Sequence, residues 1–307
     1  MIKVLLAAYN GEKYIEQQLK SILSANHIDD LKVVISLDQS SDKTEHIVRN
    51  LHSPDIELIV HKDRLGSAKN NFSWLLNHVE EDAEYFMLAD QDDFWFDDKI
   101  HDSILKIKEM ESEFGIDTPC LVFTDSIISD ENLNVKNNSF VHSSALDVDA
   151  GLCFERLVVK NSGQGCTFLF NVSLLRLLRN TPQEIIMHDW WIMLVAACFG
   201  KIYYIDKPAM IYRQHSSNEV GALNFDLLFI FKKVLKSNLH KNIISTQKQA
   251  EAFLNRFNGE LSPKEKNFLQ VYSGLHKMNP LKRRYSALKH GVKSAGLIRT
   301  VGLYVFM

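Results

Sequence analysis

In the stretch FMLADQDDFW an apolar run from Phe86 to Ala89 is followed at once by three carboxylates, Asp90, Asp92 and Asp93. Like charges packed this closely repel one another unless water, a proton or a cation relieves them. Mg2+ and Mn2+ prefer carboxylate, water and phosphate oxygens, so an Asp-x-Asp pair leaving a strand suits a divalent cation. The chemistry this predicts is a diphosphate held through a metal. The competing reading is that the aspartates only cap the helix suggested by DDKIHDSILKIKEM.

The elements that would present such a cluster follow from the hydrophobic pattern. IKVLLAA at 2–8 is a short apolar run stopped by Tyr9-Asn10-Gly11, and EKYIEQQLKSIL places Ile15, Leu19, Ile22 and Leu23 at helical spacing. LKVVISLD, SSDKTEHIVRNL, IELIVH, SAKNNFSWLLNHV and EYFMLAD continue the alternation, the last run ending at Asp90. Four strand–helix alternations predict an α/β domain with a largely parallel sheet. In open sheets of that kind ligands sit outside the carboxyl ends of the strands. Tyr9 and Asn10, Asp38, and Asp90 to Asp93 occupy those ends. No GxGxxG or GxxxxGK[ST] follows the first strand, which disfavours a dinucleotide fingerprint or a P-loop.

Further along, CLVFTDSIIS and GCTFLFN read as strands, HDWWIMLVAACF as an apolar helix ended by Gly200, and KIYYIDKPAMIYRQH as a strand interrupted at Pro208. From about Leu223 the pattern turns helical, with Ser262-Pro263 and Glu265 marking one helix start. Charge divides the same way: residues 222–307 hold 15 Lys+Arg against 4 Asp+Glu, and residues 1–221 hold 20 against 34. The expected division is therefore an acidic domain at 1–221 and a basic helical region at 222–307.

Of 307 residues 46% are hydrophobic and 24% charged, the composition of a soluble globular chain. The four cysteines show no metal or disulfide spacing, the N-terminus reads as a strand rather than a secretion signal, and no apolar run is long enough to span a bilayer. The expectation is a cytoplasmic protein.

Taken in order and spacing, VLLAAYNGEKYIEQQLKSIL, VVISLDQSSDKT, LGSAKNNFSWLL and FMLADQDDFW resemble the family 2 inverting nucleotide-sugar glycosyltransferases of the GT-A fold. With GCTFLFN and MHDWWIMLVAACFGKIYYIDKPAMIYRQHSSNEVG, the resemblance extends over about 1–221 and is strongest to bacterial rhamnosyltransferases of polysaccharide assembly. It implies a GT-A fold, α/β with a mostly parallel central sheet flanked by helices, followed here by the C-terminal helical region. It also implies a dTDP- or UDP-sugar donor, with dTDP-L-rhamnose favoured, a saccharide acceptor that is lipid-linked, and Mn2+ or Mg2+ as cofactor. No nucleic-acid partner is expected, since the acidic body would repel a polyanion.

Residue by residue, the resemblance places Ala8, Tyr9, Asn10, Asp38, Lys69, Asp90 and Gln91 around the nucleotide. It places Asp92 on the metal, with His215 as a further ligand. Asp189 takes the position of the catalytic base, and His188, Trp190, Trp191 and Gly165 lie on the acceptor and sugar side. Each has a structural alternative. For Asp38 the alternative is a turn or cap residue, a role open also to Ser40 and Asp42; for Lys69 it is a solvated helix lysine, and for His215 a structural histidine. Asp189 suits the N-cap of an apolar helix, where the helix dipole would lower its pKa and weaken it as a base. The tryptophans either stack on sugar or pack in the core, and Gly163 and Gly165 either admit sugar or serve a bulge. Leu37 departs from the family, which often carries a second acidic residue there. The basic tail fits either an anionic membrane face or a bundle closing the acidic domain. A nucleotidyltransferase-like enzyme and a non-catalytic sugar-binding descendant are the alternative functions.

Overall fold

β1 (Ile2–Ala8) is buried along its whole length, as a strand covered on both faces must be. The computed structural model describes residues 1–25, 30–144, 146, 148, 152–215, 239–294 and 296–307. The lysines at 232, 233 and 236 and the LLFIF run therefore lie outside the described residues. After β1 come α1 (Ile15–Ser24), β2 (Leu31–Leu37), α2 (Thr44–Asn50), β3 (Ile56–Val60), α3 (Ala68–His78) and β4 (Tyr85–Asp90). Next are β5 (Phe94–Trp95), α4 (Lys99–Phe114), β6 (Cys120–Ser129), β7 (Val135–Asn137), α5 (Phe140–Ser143) and α6 (Phe154–Val159). A 3-10 turn (Gly165–Thr167) leads into β8 (Phe168–Asn171), followed by α7 (Val172–Leu178), α8 (His188–Phe199) and β9 (Lys201–Arg213). Four helices close the chain: α9 (Leu239–Phe257), α10 (Pro263–Gly274), α11 (Pro280–Lys289) and α12 (Leu297–Phe306).

The sheet order is β3-β2-β1-β4-β8-β6-β9-β5, with β7 attached to β6. The first four strands are mutually parallel, as the alternation predicts. The far half is mixed: β8 runs antiparallel to both β4 and β6, while β9 is parallel to β6 and antiparallel to β5. Pro208 does not end its strand. The pairing steps from Thr124–Ile205 to Asp125–Pro208, so the proline sits at a bulge where no ladder donor is required.

Alternation along β1 builds two cores. Val4, Leu6 and Ala8 pack with Ile15, Leu19 and Ile22 of α1 and Ile100 and Ile107 of α4. Leu5 and Ala7 face the other way, toward Phe72 and Leu75 of α3 and Ile192–Ala196 of α8. Register then sets the site: Ala8 lies opposite Leu37, Leu37 opposite Val60, and Ala7 opposite Asp90. Tyr9, Asp38, His61 and Gln91 consequently emerge at one edge.

The C-terminal helices share the second core. Phe253 of α9 stands 5.2 Å from the Trp191 ring and 5.3 Å from Phe154, with Phe257 4.9 Å away. α10 begins with a full capping box between Ser262 and Glu265, with Pro263 in its first turn. Truncating Phe253 to Ala should therefore cost about 3–5 kcal/mol in urea unfolding, the usual range for a buried ring, if α9 is integral to the core. A loss under about 1 kcal/mol would contradict that packing.

Candidate active site

The donor edge is built by loops sewn to one another. Asn10 adopts a left-handed conformation (φ 45°), which asparagine tolerates better than most residues, and so turns the chain sharply out of β1. Its amide donates to Ser40 Oγ at 3.0 Å, and its Oδ1 accepts from the Ser41 amide at 2.9 Å. Gln91 completes the frame. Its side chain accepts from the Tyr9 amide and donates to the Tyr9 carbonyl, both at 2.9 Å, imitating a strand neighbour. A Cβ on Gly11 would stand 2.2 Å from Gln91 Oε1, so a larger residue there would displace the Gln91 side chain from Tyr9.

Asp38 is buried, and its carboxylate accepts from the backbone amides of Gln39, Leu65 and Gly66 at 2.7–2.8 Å. It thus fixes the loop after β3 to the end of β2, and of about four acceptor positions on a carboxylate one is left over. Ala8 supports the same corner by accepting from the Asp38 amide at 2.8 Å. Tyr9 is exposed beside Arg64, whose guanidinium lies 5.3 Å from its ring centroid.

The three aspartates do not cap a helix, since α4 starts after Asp98 and has no side-chain cap. They occupy three different settings. Asp90 is partly exposed, Asp92 is buried with His215 at 2.7 Å from its Oδ2, and Asp93 is fully enclosed. The fold brings Asp92 and His215 together across 123 residues of chain. Tyr14 stacks on His215 at 4.9 Å and carries the Arg213 guanidinium at 4.5 Å from its centroid. Arg213 also donates to the Asp92 carbonyl at 2.7 Å, and its amide to Asp93 Oδ1 at 3.3 Å. Burial, followed by the neighbouring Asp92 and Asp90 charges, pushes the Asp93 carboxyl well above the ordinary range.

Behind the cluster lies a residue the sequence reading passed over. Lys99 is fully buried, donates to the Cys166 carbonyl at 2.8 Å and sits 4.4 Å from the Trp95 ring centroid. Burial brings its pKa down to about 8, against the opposing pull of Cys166, Asp93 and Asp90, so it stays largely protonated at neutral pH. Asp90, Asp93 and Cys166 bring donor atoms within 4.8 Å of one another. The Asp90 and Asp93 oxygens in this group are of the kind Mn2+ and Mg2+ prefer, while Asp92 and His215, the residues expected on the metal, are not part of it and meet each other at 2.7 Å.

The second chemical end is Asp189, in the first turn of α8, whose N-cap Met187 gives no side-chain bond. The helix dipole favours the charged form here, but burial overrides it. Burial pushes this carboxyl up to about 6, outweighing the Trp190 and Gly165 amides and the Asn161 side chain, which favour the charged form. Gly165 matters through contact with this residue. A Cβ there would meet His188 Nε2 at 3.0 Å and Asp189 Cβ at 3.1 Å, so the close approach is to α8.

Other acceptor-side expectations need correction. His188 is buried and stacked on Phe72 at 4.0 Å, with burial lowering its pKa to about 3, so it stays neutral in the core. Trp191 is enclosed by Phe253 and Phe257 because the apolar face of α8 meets α9, and it presents no surface to a sugar. Trp190 is half-buried and donates its indole N–H to the Leu157 carbonyl at 2.6 Å. On the nucleotide side, Lys69 donates to the carbonyls of Gln183 and Ile185 at 3.1 and 3.3 Å, bracing the loop that leads to Asp189.

Comparison with known proteins adds three findings. Residues 3–118 match the model of Glycosyl transferase family 2. The dTDP-rhamnosyl transferase RfbG of Shigella flexneri is 32% identical over 233 residues, which is 71% of this chain and 74% of that protein. Among solved structures, S. aureus TarS in complex with UDP-GlcNAc aligns with a TM-score of 0.55 at 15% identity, covering 93% of this chain and 83% of that one. The mannosyltransferase PcManGT from Pyrobaculum calidifontis, in complex with GDP-Man and Mn2+, gives 0.53 at 17% identity, covering 99% and 78%. Identities this low speak for a shared fold alone.

The Asp189 environment has a direct check. A carboxyl raised from 3.8 to about 6 in the folded chain is protonated below that value, and folded-state stability falls as pH rises through the interval. Carbon-13 NMR of aspartate-labelled protein should show a carboxyl resonance titrating near 6 that Asp189→Asn removes. A titration at or below 4 would contradict the burial argument.

Proposed function

The chain belongs to glycosyl transferase family 2 and has the GT-A type of fold, and from that premise we propose that it transfers L-rhamnose from dTDP-L-rhamnose, with inversion, to a saccharide acceptor in cell-surface polysaccharide assembly. The kinship with RfbG supports the donor. The observation that carries the chemistry is the meeting of Asp92 and His215 at the strand edge that also presents Tyr9, Asp38 and Gln91. In this reading residues 1–221 are the transferase domain and 222–307 its basic helical appendage.

Ala8, Tyr9, Asn10, Asp38 and Gln91 form the base and ribose side, with Asp90 facing the ribose. Asp38 retains one acceptor position for the imide N–H of thymine or uracil. Asp92 and His215 would hold a divalent cation, Mn2+ or Mg2+, whose charge would stabilise the departing diphosphate. Asp189 removes the acceptor hydroxyl proton as that oxygen attacks the anomeric carbon from the face opposite the nucleotide. The bond from that carbon to the phosphate oxygen breaks, nucleoside diphosphate leaves with the electron pair, and configuration inverts. A carboxyl titrating near 6 is a competent base at neutral pH, since most of it is ionised while it remains more basic than an ordinary aspartate.

The acceptor in this reading is a lipid-linked saccharide presented at the cytoplasmic face of the membrane. Among the described residues no helix is long and apolar enough to cross a membrane, so contact there would be peripheral.

Two substitutions separate the roles. Asp92→Asn and Asp189→Asn should each lower transfer by at least about 100-fold, the scale of general-base and charge-stabilisation losses. Only Asp92→Asn should weaken Mn2+-dependent nucleotide binding in calorimetry. Product analysis should find dTDP and a new glycosidic bond. Transfer preserved in Asp189→Asn would sink the base assignment, and dTDP-rhamnose left unused while another sugar nucleotide reacts would sink the donor.

A further inference from the structure

Residues 266–307 contain eight Lys+Arg and no Asp or Glu. Within that stretch α11 exposes three apolar side chains: Leu281 at 82%, Tyr285 at 69% and Leu288 at 65%. Their spacing is i, i+4 and i+7, which at about 100° per residue confines them to one narrow stripe. Ala287, on the opposite side, is buried against the core. The stripe is therefore left outward by a helix that has already buried its inner face.

The cations around it divide into two kinds. Arg283 and Arg284 are turned back into the protein. Arg283 donates to the Leu275 and Met278 carbonyls, and Arg284 to those of Tyr304 and Val305 at the end of α12. Lys282, Lys289 and Lys293 are exposed. The first two lie on α11 beside the apolar stripe, about 80–100° from Leu281 around the axis. The neighbouring α12, pinned by Arg284, exposes Val301 and Val305.

An exposed leucine and tyrosine row flanked by lysines is the pattern of a helix lying in a membrane interface. The charge selects the occupant. A second copy meeting the same face would bring one lysine-flanked row against another, and a nucleic acid would leave the apolar row without a partner. An anionic bilayer satisfies both features at once, apolar side chains entering the interfacial layer while lysines meet headgroup phosphates.

We infer that the outer face of α11 is a docking surface for anionic lipid, with Leu281, Tyr285 and Leu288 as the inserted row and Lys282, Lys289 and Lys293 as the headgroup contacts. Its purpose rests on the proposed lipid-linked acceptor, which such docking would bring to the transfer site. The surface itself is testable without any transfer assay.

The test is co-sedimentation of the full chain with vesicles of phosphatidylcholine alone or with one-third phosphatidylglycerol. Binding to the mixed vesicles should exceed binding to phosphatidylcholine at least tenfold and weaken as salt rises. The triple change Leu281→Ser, Tyr285→Ser and Leu288→Ser, and separately Lys282→Glu with Lys289→Glu, should each lower the partition at least tenfold. Far-UV circular dichroism should stay unchanged, since all five side chains are exposed. Transfer to a short water-soluble acceptor should stay within twofold in both variants. Equal binding to both vesicle types, or unchanged binding in the variants, would overturn the surface. So would a dimer in analytical ultracentrifugation that the triple change dissolves while vesicle binding is absent. A failure of the dTDP-rhamnose reading would appear in the transfer assay alone and leave the vesicle result standing.

Discussion

The hydrogen bond from buried Lys99 to the Cys166 carbonyl is the hinge on which both ends of the site turn. On one side stands the acidic cluster, where Cys166 lies against Asp93 and the Lys99 charge offsets Asp93 and Asp90. On the other, the preceding residue, Gly165, offers its amide to Asp189 and packs against the start of α8. A 3-10 turn of three residues therefore joins the carboxylates of the donor edge to the base of the acceptor side. Burial and the Asp92 and Asp90 charges already favour the neutral form of Asp93, and the Asp93 and Asp90 carboxyls favour the charged form of Lys99 beneath them. The Lys99 bond holds the turn from below, so the distance between the two chemistries is set by the core rather than by a loop.

Much of this frame was legible in the residue pattern because it depends on local rules. The parallel half follows from alternating strand and helix periods, and the start of α10 from Ser262, Pro263 and Glu265. The strand-end positions of Asp38 and Asp90 then follow from register alone. What escaped depends on contacts between distant segments. Nothing in GCTFLFN indicates that β8 inserts antiparallel between β4 and β6, because short buried strands of either direction look alike. Lys99 reads as one more surface lysine until α4 is laid on the sheet and its side chain is seen to point inward. Tyr14 and Arg213, which wrap His215, had only their proximity to motif residues as a signal.

Trp191 shows how an aromatic residue beside a catalytic candidate can mislead. Its place two residues after Asp189 suggested a sugar platform, yet helix positions two apart point about 200° apart, so closeness in sequence separates the two in space. The α8 face carrying Trp191 meets Phe253 and Phe257, residues more than sixty positions downstream. The same geometry explains why the C-terminal helices belong to the second core even though their charge is opposite to that of the domain they cover.

Asp189 brings two general effects into opposition. At a helix N-terminus the dipole favours the anion by about 0.3–1 kcal/mol at an exposed site, whereas enclosure by protein disfavours it by more, because ions lose hydration that a few amides replace only in part. Here burial prevails, and the carboxyl rises to about 6 in spite of four favourable hydrogen-bond donors. His188, one residue earlier, feels the same enclosure with the opposite consequence, since burial removes the proton from an imidazole. A buried neutral ring and a partly exposed, moderately basic carboxylate thus stand side by side at neutral pH. That combination leaves Asp189 as the ionisable group there able to accept a proton without a competing positive charge beside it.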